Sequence, residues 1–379
     1  MEEWKEYKLG DICKSNINSY SEKDNWSFVN YLDTGNITEN KISDIQFIDL
    51  SSESLPSRAR RKVQLNDIIY STVRPNQKHF GIIKNKPENF LVSTGFAVLH
   101  TNKTIADPNF IFYNLIQNEN TESLHAIAEQ TTSAYPAIKP SDIENLSIKL
   151  PPLPTQQKIA AILSSLDDKI ELNNKINTNL EQQAQALFKN WFVDFEPFGG
   201  KMPEGWKVGK LSEYCNFQKG YVNPAQTHNE YFDGDVKWLR AVDINELFIL
   251  NTSRTLTKCG FESAGKSAFL FKPGSIAISK SGTVGRLGII SDFMCGNRAV
   301  IGIELKEQQN LSYIHQYLKS RQTDFPDMAV GSVQKNLYVS ILENLDIIIP
   351  SKEVLEKFAA ICIPQQGARG ILKFKWYTI

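Results

Sequence analysis

The sequence predicts an α+β protein: two copies of one mixed α/β domain with curved sheets, separated by a long helix of coiled-coil type. Three observations predict it. The chain repeats itself at a spacing of about 200 residues, a period too long for a solenoid and therefore two copies of a whole domain. Short β-rich runs such as Ile68-Ile69-Tyr70 and Ser275-Ile276-Ala277-Ile278 are bounded by Gly, Pro and Asn. After Pro154 neither Pro nor Gly occurs until Pro197.

The duplication keeps its order over six blocks. Trp4-Lys5 with Leu9 matches Trp206-Lys207 with Leu211, and Tyr31-Leu32 with Ile37 matches Trp238-Leu239 with Ile244. Leu65-Asn66-Asp67-Ile68-Ile69 resembles Lys272-Pro273-Gly274-Ser275-Ile276, and Gly81-Ile82-Ile83 returns as Gly288-Ile289-Ile290. Ser141-Asp142-Ile143-Glu144-Asn145-Leu146 returns as Ser340-Ile341-Leu342-Glu343-Asn344-Leu345. Each copy closes on a proline, Pro151 or Pro350. Within the copies, Pro108 to Leu115 and Leu311 to Leu318 read as helices with one apolar face.

Between the copies, Thr155 reads as the N-cap of a helix held off from an earlier start by three prolines. Its 40 or so residues give a length of roughly 60 Å at 1.5 Å per residue. Ile159, Leu163, Leu166, Ile170, Asn173, Asn177, Leu180, Ala184, Leu187 and Trp191 follow alternating steps of four and three, a heptad seam. The asparagines at its middle cost stability and can fix register. Such a seam needs a partner, most simply the equivalent helix after the second copy.

Lys plus Arg and Asp plus Glu are 42 each, so the whole chain carries no charge signal. Local charge does. Residues 57 to 86 hold eight basic residues and one acid, net +7, and residues 237 to 298 hold nine and four, net +5. Segments of this kind can neutralise phosphates. No run of ~20 apolar residues argues for a membrane span, and the charged N-terminus lacks an apolar signal core. Cys13, Cys215, Cys259, Cys295 and Cys362 are dispersed, without a C-x-x-C pair. They and the five histidines supply no clustered metal ligands, which fits a reduced, cytoplasmic protein.

A specific pattern surrounds the helix. Pro151-Pro152-Leu153-Pro154-Thr155-Gln156-Gln157-Lys158-Ile159 opens it, Leu187-Phe188-Lys189-Asn190-Trp191-Phe192-Val193-Asp194-Phe195-Glu196-Pro197 ends it, and Met202-Pro203-Glu204-Gly205-Trp206 follows. This resembles the specificity subunit of type I restriction–modification systems, over residues 1 to about 362. The resemblance implies target recognition domains at 1–150 and 198–350, a spacer helix at 151–197 and a second spacer helix with a divergent tail at 351–379. It implies that each recognition domain reads half of a split double-stranded DNA site, while the helices dock two methyltransferase subunits and a motor–nuclease subunit joins for cleavage. The chain itself then needs no cofactor. S-adenosylmethionine, ATP and Mg²⁺ belong to the partners. Two similar domains related by a pseudo-two-fold suit two half-sites about one helical turn apart.

Candidate DNA contacts follow from residue type and loop placement. Arg58, Arg60, Arg61, Lys62 and Lys78 are phosphate contacts in the first copy, with Lys258, Lys266 and Lys280 in the second. Arg74, Asn76 and Gln77, then Arg286, Asn297, Arg298 and Gln334, are base readers, since Arg, Asn and Gln pair bidentately with base edges. Tyr135 and Tyr221 can pack on sugar or base edges.

Other classes are weighed against this. Gly260 to Ser267 satisfies the phosphate-loop pattern G-x-x-x-x-G-K-[ST], the basis for an NTP-binding regulator. Its context opposes that reading: Thr255 to Cys259 is too polar for a buried strand, and Pro273-Gly274 follows closely. The only Pro-Pro, in Leu150-Pro151-Pro152-Leu153, lacks the flanks of an amino-methyltransferase motif. Finally, Glu356-Lys357-Phe358-Ala359-Ala360-Ile361 matches Gln157-Lys158-Ile159-Ala160-Ala161-Ile162, after which the seam stops at Pro364, Gly367 and Gly370. The second helix is therefore expected to last two or three turns. That raises a silent, assembly-defective variant as a further alternative.

Overall fold

The computed structural model describes residues 4–130, 136–245 and 247–367. Contacts divide it into two compact units, Met1–Leu172 and Asn173–Ile379, with the division inside the long helix.

In the first unit, Lys5–Lys8 pairs antiparallel with Ser147–Leu150, which ties the two ends of the copy together. One sheet has the strand order Gln46–Asp49, Phe28–Leu32, Phe90–Ser93, Ala59–Lys62, and a second has Cys13–Ser15, Phe96–Thr101, Ile68–Ser71, Phe80–Ile82. Ile68–Ser71 is buried on both faces. Because successive side chains point to opposite faces, Ile68 and Tyr70 enter a core with Phe110, Ile111 and Leu115 of helix Pro108–Leu115. Ile69 enters another with Leu32, Phe90 and Val98.

The second unit repeats this plan. Lys207–Lys210 pairs with Asp346–Ile349. A five-stranded sheet runs Cys215–Lys219, Val300–Leu305, Ile276–Ser279, Leu287–Ile290, Phe248–Ile249, beside a three-stranded sheet of Thr255–Leu256, Phe232–Leu239 and Cys295–Gly296. Ile276 and Ile278 face helix Leu311–Ser320, while Ala277 faces Leu239 and Phe271. Matched backbone bonds mark the repeat: Leu9 N donates to Leu146 O at 2.9 Å, and Leu211 N to Leu345 O at 2.9 Å.

One block of the repeat is in a different register from that expected. Asn66 N donates to Ile83 O and Gly274 N to Ile290 O, and both residues are left-handed, at φ +71° and +82°. Asn66 thus matches Gly274, and Ile68, not Ile69, matches Ile276. A turn demanding positive φ selects Asn or Gly, which outweighs the apolar alignment.

The spacer helix spans Leu153–Phe192. It starts two residues before Thr155, so Thr155 is not its cap. Pro154 is tolerated because the first turn's N–H groups have no helical acceptor. Gln156, 1% exposed, pins the start: its Nε2 donates to Pro151 O (2.8 Å) and Ile105 O (3.2 Å), and its Oε1 accepts from Asp107 N (3.0 Å).

The seam residues do not form one buried row. Within the first unit Ala160 is buried, Ile159 and Leu163 are half-buried, and Leu166 and Ile170 are exposed. Within the second, Asn173 is exposed and Asn177 and Leu180 are half-buried. The buried row there is Ala184, Phe188 and Phe192, one position on from Leu187 and Trp191, which pack at the core's margin. Steps of four suit packing against a globular core. The helix that follows the second copy spans Lys352–Gly367, longer than the expected two or three turns. One proline removes a single helical bond, and the helix continues through Pro364. Its Phe358 ring lies 5.1 Å from that of Phe192 and 5.9 Å from that of Trp191. Among the described residues no helix is long and apolar enough to cross a membrane.

Candidate nucleic-acid interface

Corresponding ends of the sheets built around Ile68–Ser71 and Ile276–Ser279 carry the same hydrogen-bonded frame. In the first unit Thr72 N donates to Gly95 O (2.8 Å), Ile138 N to Thr72 O (2.8 Å) and Ser71 N to His79 O (2.8 Å). In the second, Lys280 N donates to Ala299 O (2.7 Å), Leu337 N to Lys280 O (2.9 Å) and Ser279 N to Arg286 O (2.9 Å). Residues 72–79 and 280–286 are thus equivalent loops, each leaving a central strand at its C-terminal end.

In the first loop Arg74 and Lys78 adopt left-handed conformations on either side of the turn Pro75–Gln77. That bend leaves Asn76 and Gln77 exposed. Arg74 N donates to Pro136 O at 2.9 Å, and Lys78 Nζ lies 3.0 Å from Glu39. Arg58 to Lys62 belongs elsewhere, to the edge strand Ala59–Lys62 of the other sheet and the residue before it. Arg58 is exposed, Arg60 Nη1 donates to Ala59 O (3.2 Å), and burial lowers the pKa of the half-buried Arg61. Lys62 pairs with Asp24 and lies 5.4 Å from the Trp26 ring centroid. Its hydrogen bond holds the Asp24 carboxyl below the usual range. Tyr135 lies outside the described residues.

In the second unit Lys280 is half-buried, with Nζ 5.8 Å from the Tyr338 ring centroid. Burial first, and the charge of Lys219 second, lower its pKa. Arg298 is exposed beside it in the frame, its backbone N donating to Asn223 Oδ1 at 3.3 Å. Tyr221 is exposed, following Gly220, whose N donates to Val300 O. Gln334 is exposed on the loop closed by Val330 and Asn336. Lys280, Arg298, Tyr221 and Gln334 therefore share one end of the unit.

Four candidates sit differently. The Asn297 Oδ1 accepts from Ala299 N (3.0 Å), a turn-stabilising role. Arg286 lines a cavity of about 570 Å³ with Asn177, Glu181, His315 and Lys319. Lys258, beside Glu262 at 3.7 Å, and Lys266 lie on the short helices after Thr255–Leu256, an edge strand. Sequence reasoning missed Lys219. Only its pairing with Ile301 brings it to the Lys280 end.

The phosphate-loop pattern is not built as one. Gly260 lies inside helix Lys258–Glu262, and Gly265–Ser267 is a separate short turn. A side chain on Gly260 would place its first carbon 2.2 Å from Tyr231 O, so this glycine serves packing.

Comparison with known proteins agrees with this duplicated plan. The family described as type I restriction modification DNA specificity domain matches residues 1–182 and again 203–363. The type I restriction enzyme HindI specificity subunit of Haemophilus influenzae is 30% identical over 428 aligned residues, spanning 94% of this chain and 92% of that one. The MjaIX specificity subunit of Methanocaldococcus jannaschii is 28% identical over 271 residues, spanning 67% and 61%. The crystal structure of a type I restriction–modification S subunit from M. genitalium has the same fold, with a TM-score of 0.59 at 14% identity, over 97% of this chain and 90% of that one. A family domain matched once per copy, on a fold duplicated down to its backbone hydrogen bonds, makes the chain a member of the type I restriction–modification DNA specificity family.

Proposed function

We propose that the chain reads a bipartite double-stranded DNA site, one half per copy, as the non-catalytic specificity subunit of a type I restriction–modification complex. One observation carries this reading: the same frame of backbone bonds recurs in both copies, with Arg74, Asn76, Gln77 and Lys78 on its loop in the first and Lys280 on its loop in the second. Burial first, and the charge of Lys219 second, disfavour the charged form of Lys280, and a phosphate beside it offsets both. Residues 1–150 and 198–350 act as the readers. Residues 151–197 and the helix from 351 onward act as spacer and docking surface for two methyltransferase subunits, with a motor–nuclease subunit joining for cleavage in the cytoplasm. Methyl donor, ATP and metal chemistry reside in those partners. The exposed Ile162, Leu166, Ile170 and Leu172 support docking on the helix.

Methylation mapping in cells that carry this chain with its methyltransferase subunit tests the proposal. A two-part motif is expected. Exchanging residues 1–150 for those of a relative should change one part and leave the other. Equal affinity of the complex for all duplexes at moderate salt, or a swap that alters both parts or neither, overturns it. A chain that folds but fails to co-elute with the methyltransferase on gel filtration is the silent variant instead.

A further inference from the structure

Val333 is 100% exposed. Its loop is nevertheless tightly built. Val330 and Asn336 exchange both backbone hydrogen bonds, at 3.0 and 2.9 Å, and Asn336 Nδ2 donates to Gln334 O at 2.9 Å. Gly331 sits at φ +142°, where a side chain would bring its first carbon within 2.2 Å of Gln334 O. Glycine is therefore needed for the loop to close. The loop holds Val333 midway between its two closing residues, and a β-branched side chain has little rotamer freedom to lose on contact.

The surroundings are cationic and aromatic. The residue after the loop, Leu337, donates its N–H to Lys280 O at 2.9 Å, and Tyr338 follows with its ring 5.8 Å from Lys280 Nζ. Lys335 is in the loop itself, its Nζ 3.5 Å from Pro326 O. Lys219 is the neighbouring charge on Lys280. A lone methyl-bearing tip beside cations is complementary to a polyanion that displays isolated methyl groups. Duplex DNA is such a partner, and in its major groove the methyl belongs to thymine alone among the four standard bases.

We propose that Val333 is a specificity-determining residue that contacts a thymine 5-methyl group in the recognised site. The inference rests on the DNA-reading function proposed above and goes beyond it.

The test uses the complex with methyltransferase subunits and a duplex containing the mapped site. Each thymine is replaced in turn by uracil, which removes only the methyl, and binding is measured for the wild-type chain and for Val333→Ala. At one position uracil should weaken the wild type about fourfold, the value of one buried methyl-sized group. Val333→Ala should bind the thymine duplex correspondingly less well and be insensitive to that replacement. Its thermal unfolding should match the wild type, since the side chain makes no buried contact. Identical responses of the two proteins to every replacement, no methyl-sensitive position, or a site without an A·T pair overturns the proposal and leaves DNA reading intact. Loss of all sequence preference in the wild type overturns both.

Discussion

Replacing Gln156 by leucine, the residue the second copy carries at the matching position (Leu355), removes three hydrogen bonds at one buried site. Each is worth about 1 kcal/mol net, and the Asp107 amide left unpaired adds a desolvation cost of about 1–2 kcal/mol. Greater apolar burial by leucine returns about 1–2 kcal/mol. The expected loss is therefore about 3 kcal/mol for the first unit. At about 2–4 °C per kcal/mol for a unit of this size, its thermal midpoint should fall by roughly 6–12 °C. Differential scanning calorimetry of the full chain reads this, and hydrogen exchange assigns it: amides of helix Pro108–Leu115, which Asp107 caps, should lose protection while those of Leu311–Ser320 keep theirs. Gln156→Glu retains the acceptor for Asp107 but sets a carboxylate against two carbonyls, and should be no more stable than the leucine variant. A loss below about 0.5 kcal/mol, or one shared equally by both helices, would show that Gln156 does not anchor the spacer helix to the first copy.

The thiols give a prediction on pH. Burial raises Cys13 to about 11 and Cys215, Cys295 and Cys362 to about 12, while Cys259 is exposed. Iodoacetamide should add one equivalent under native conditions, and none after Cys259→Ser. Because the folded state holds these protons more tightly than an unfolded thiol near 8.5, their contribution is complete below about pH 8.5 and is lost as pH climbs toward the folded values. The thermal midpoint should fall steadily from pH 8.5 to 11, and a flat profile refutes the reasoning. Gly260→Ala should destabilise the second unit, for lack of room beside Tyr231, without changing the binding of a fluorescent ATP analogue from its wild-type background; specific nucleotide binding lost on substitution would revive the phosphate-loop reading. Extending the second helix with a sequence that continues the seam should strengthen co-elution with methyltransferase subunits, or dissolve a dimer formed through residues 155–195. A monomeric 379-residue chain that assembles as well as the extended one shows that the interrupted seam has no consequence.

The plan of the fold is legible in the sequence because it rests on short-range rules applied twice. The β-rich run Ile68-Ile69-Tyr70 between breakers, proline at the first turn of Pro108–Leu115 and the long stretch free of breakers each specify an element locally. What the sequence hides is set by partners far along the chain. The heptad spacing points to Leu187 and Trp191, yet Phe188 and Phe192 are buried, because Tyr313 and Phe358 of the second unit set which side of the helix is covered. Lys62 and Lys280 are indistinguishable as lysines in basic segments. The strand Ala59–Lys62 brings one to Asp24 and Trp26, while the pairing of Ser279 with Val300 and of Lys219 with Ile301 brings the other to a second cation. A lysine already matched by a carboxylate gains less from a phosphate than one held beside a like charge. Of the two, Lys280 is therefore the better phosphate contact, and Lys280→Ala should lower the salt dependence of DNA binding more than Lys62→Ala does. An equal or larger effect at Lys62 would mean that its pairing with Asp24 opens on DNA and that the edge strand, not the sheet end, faces the duplex.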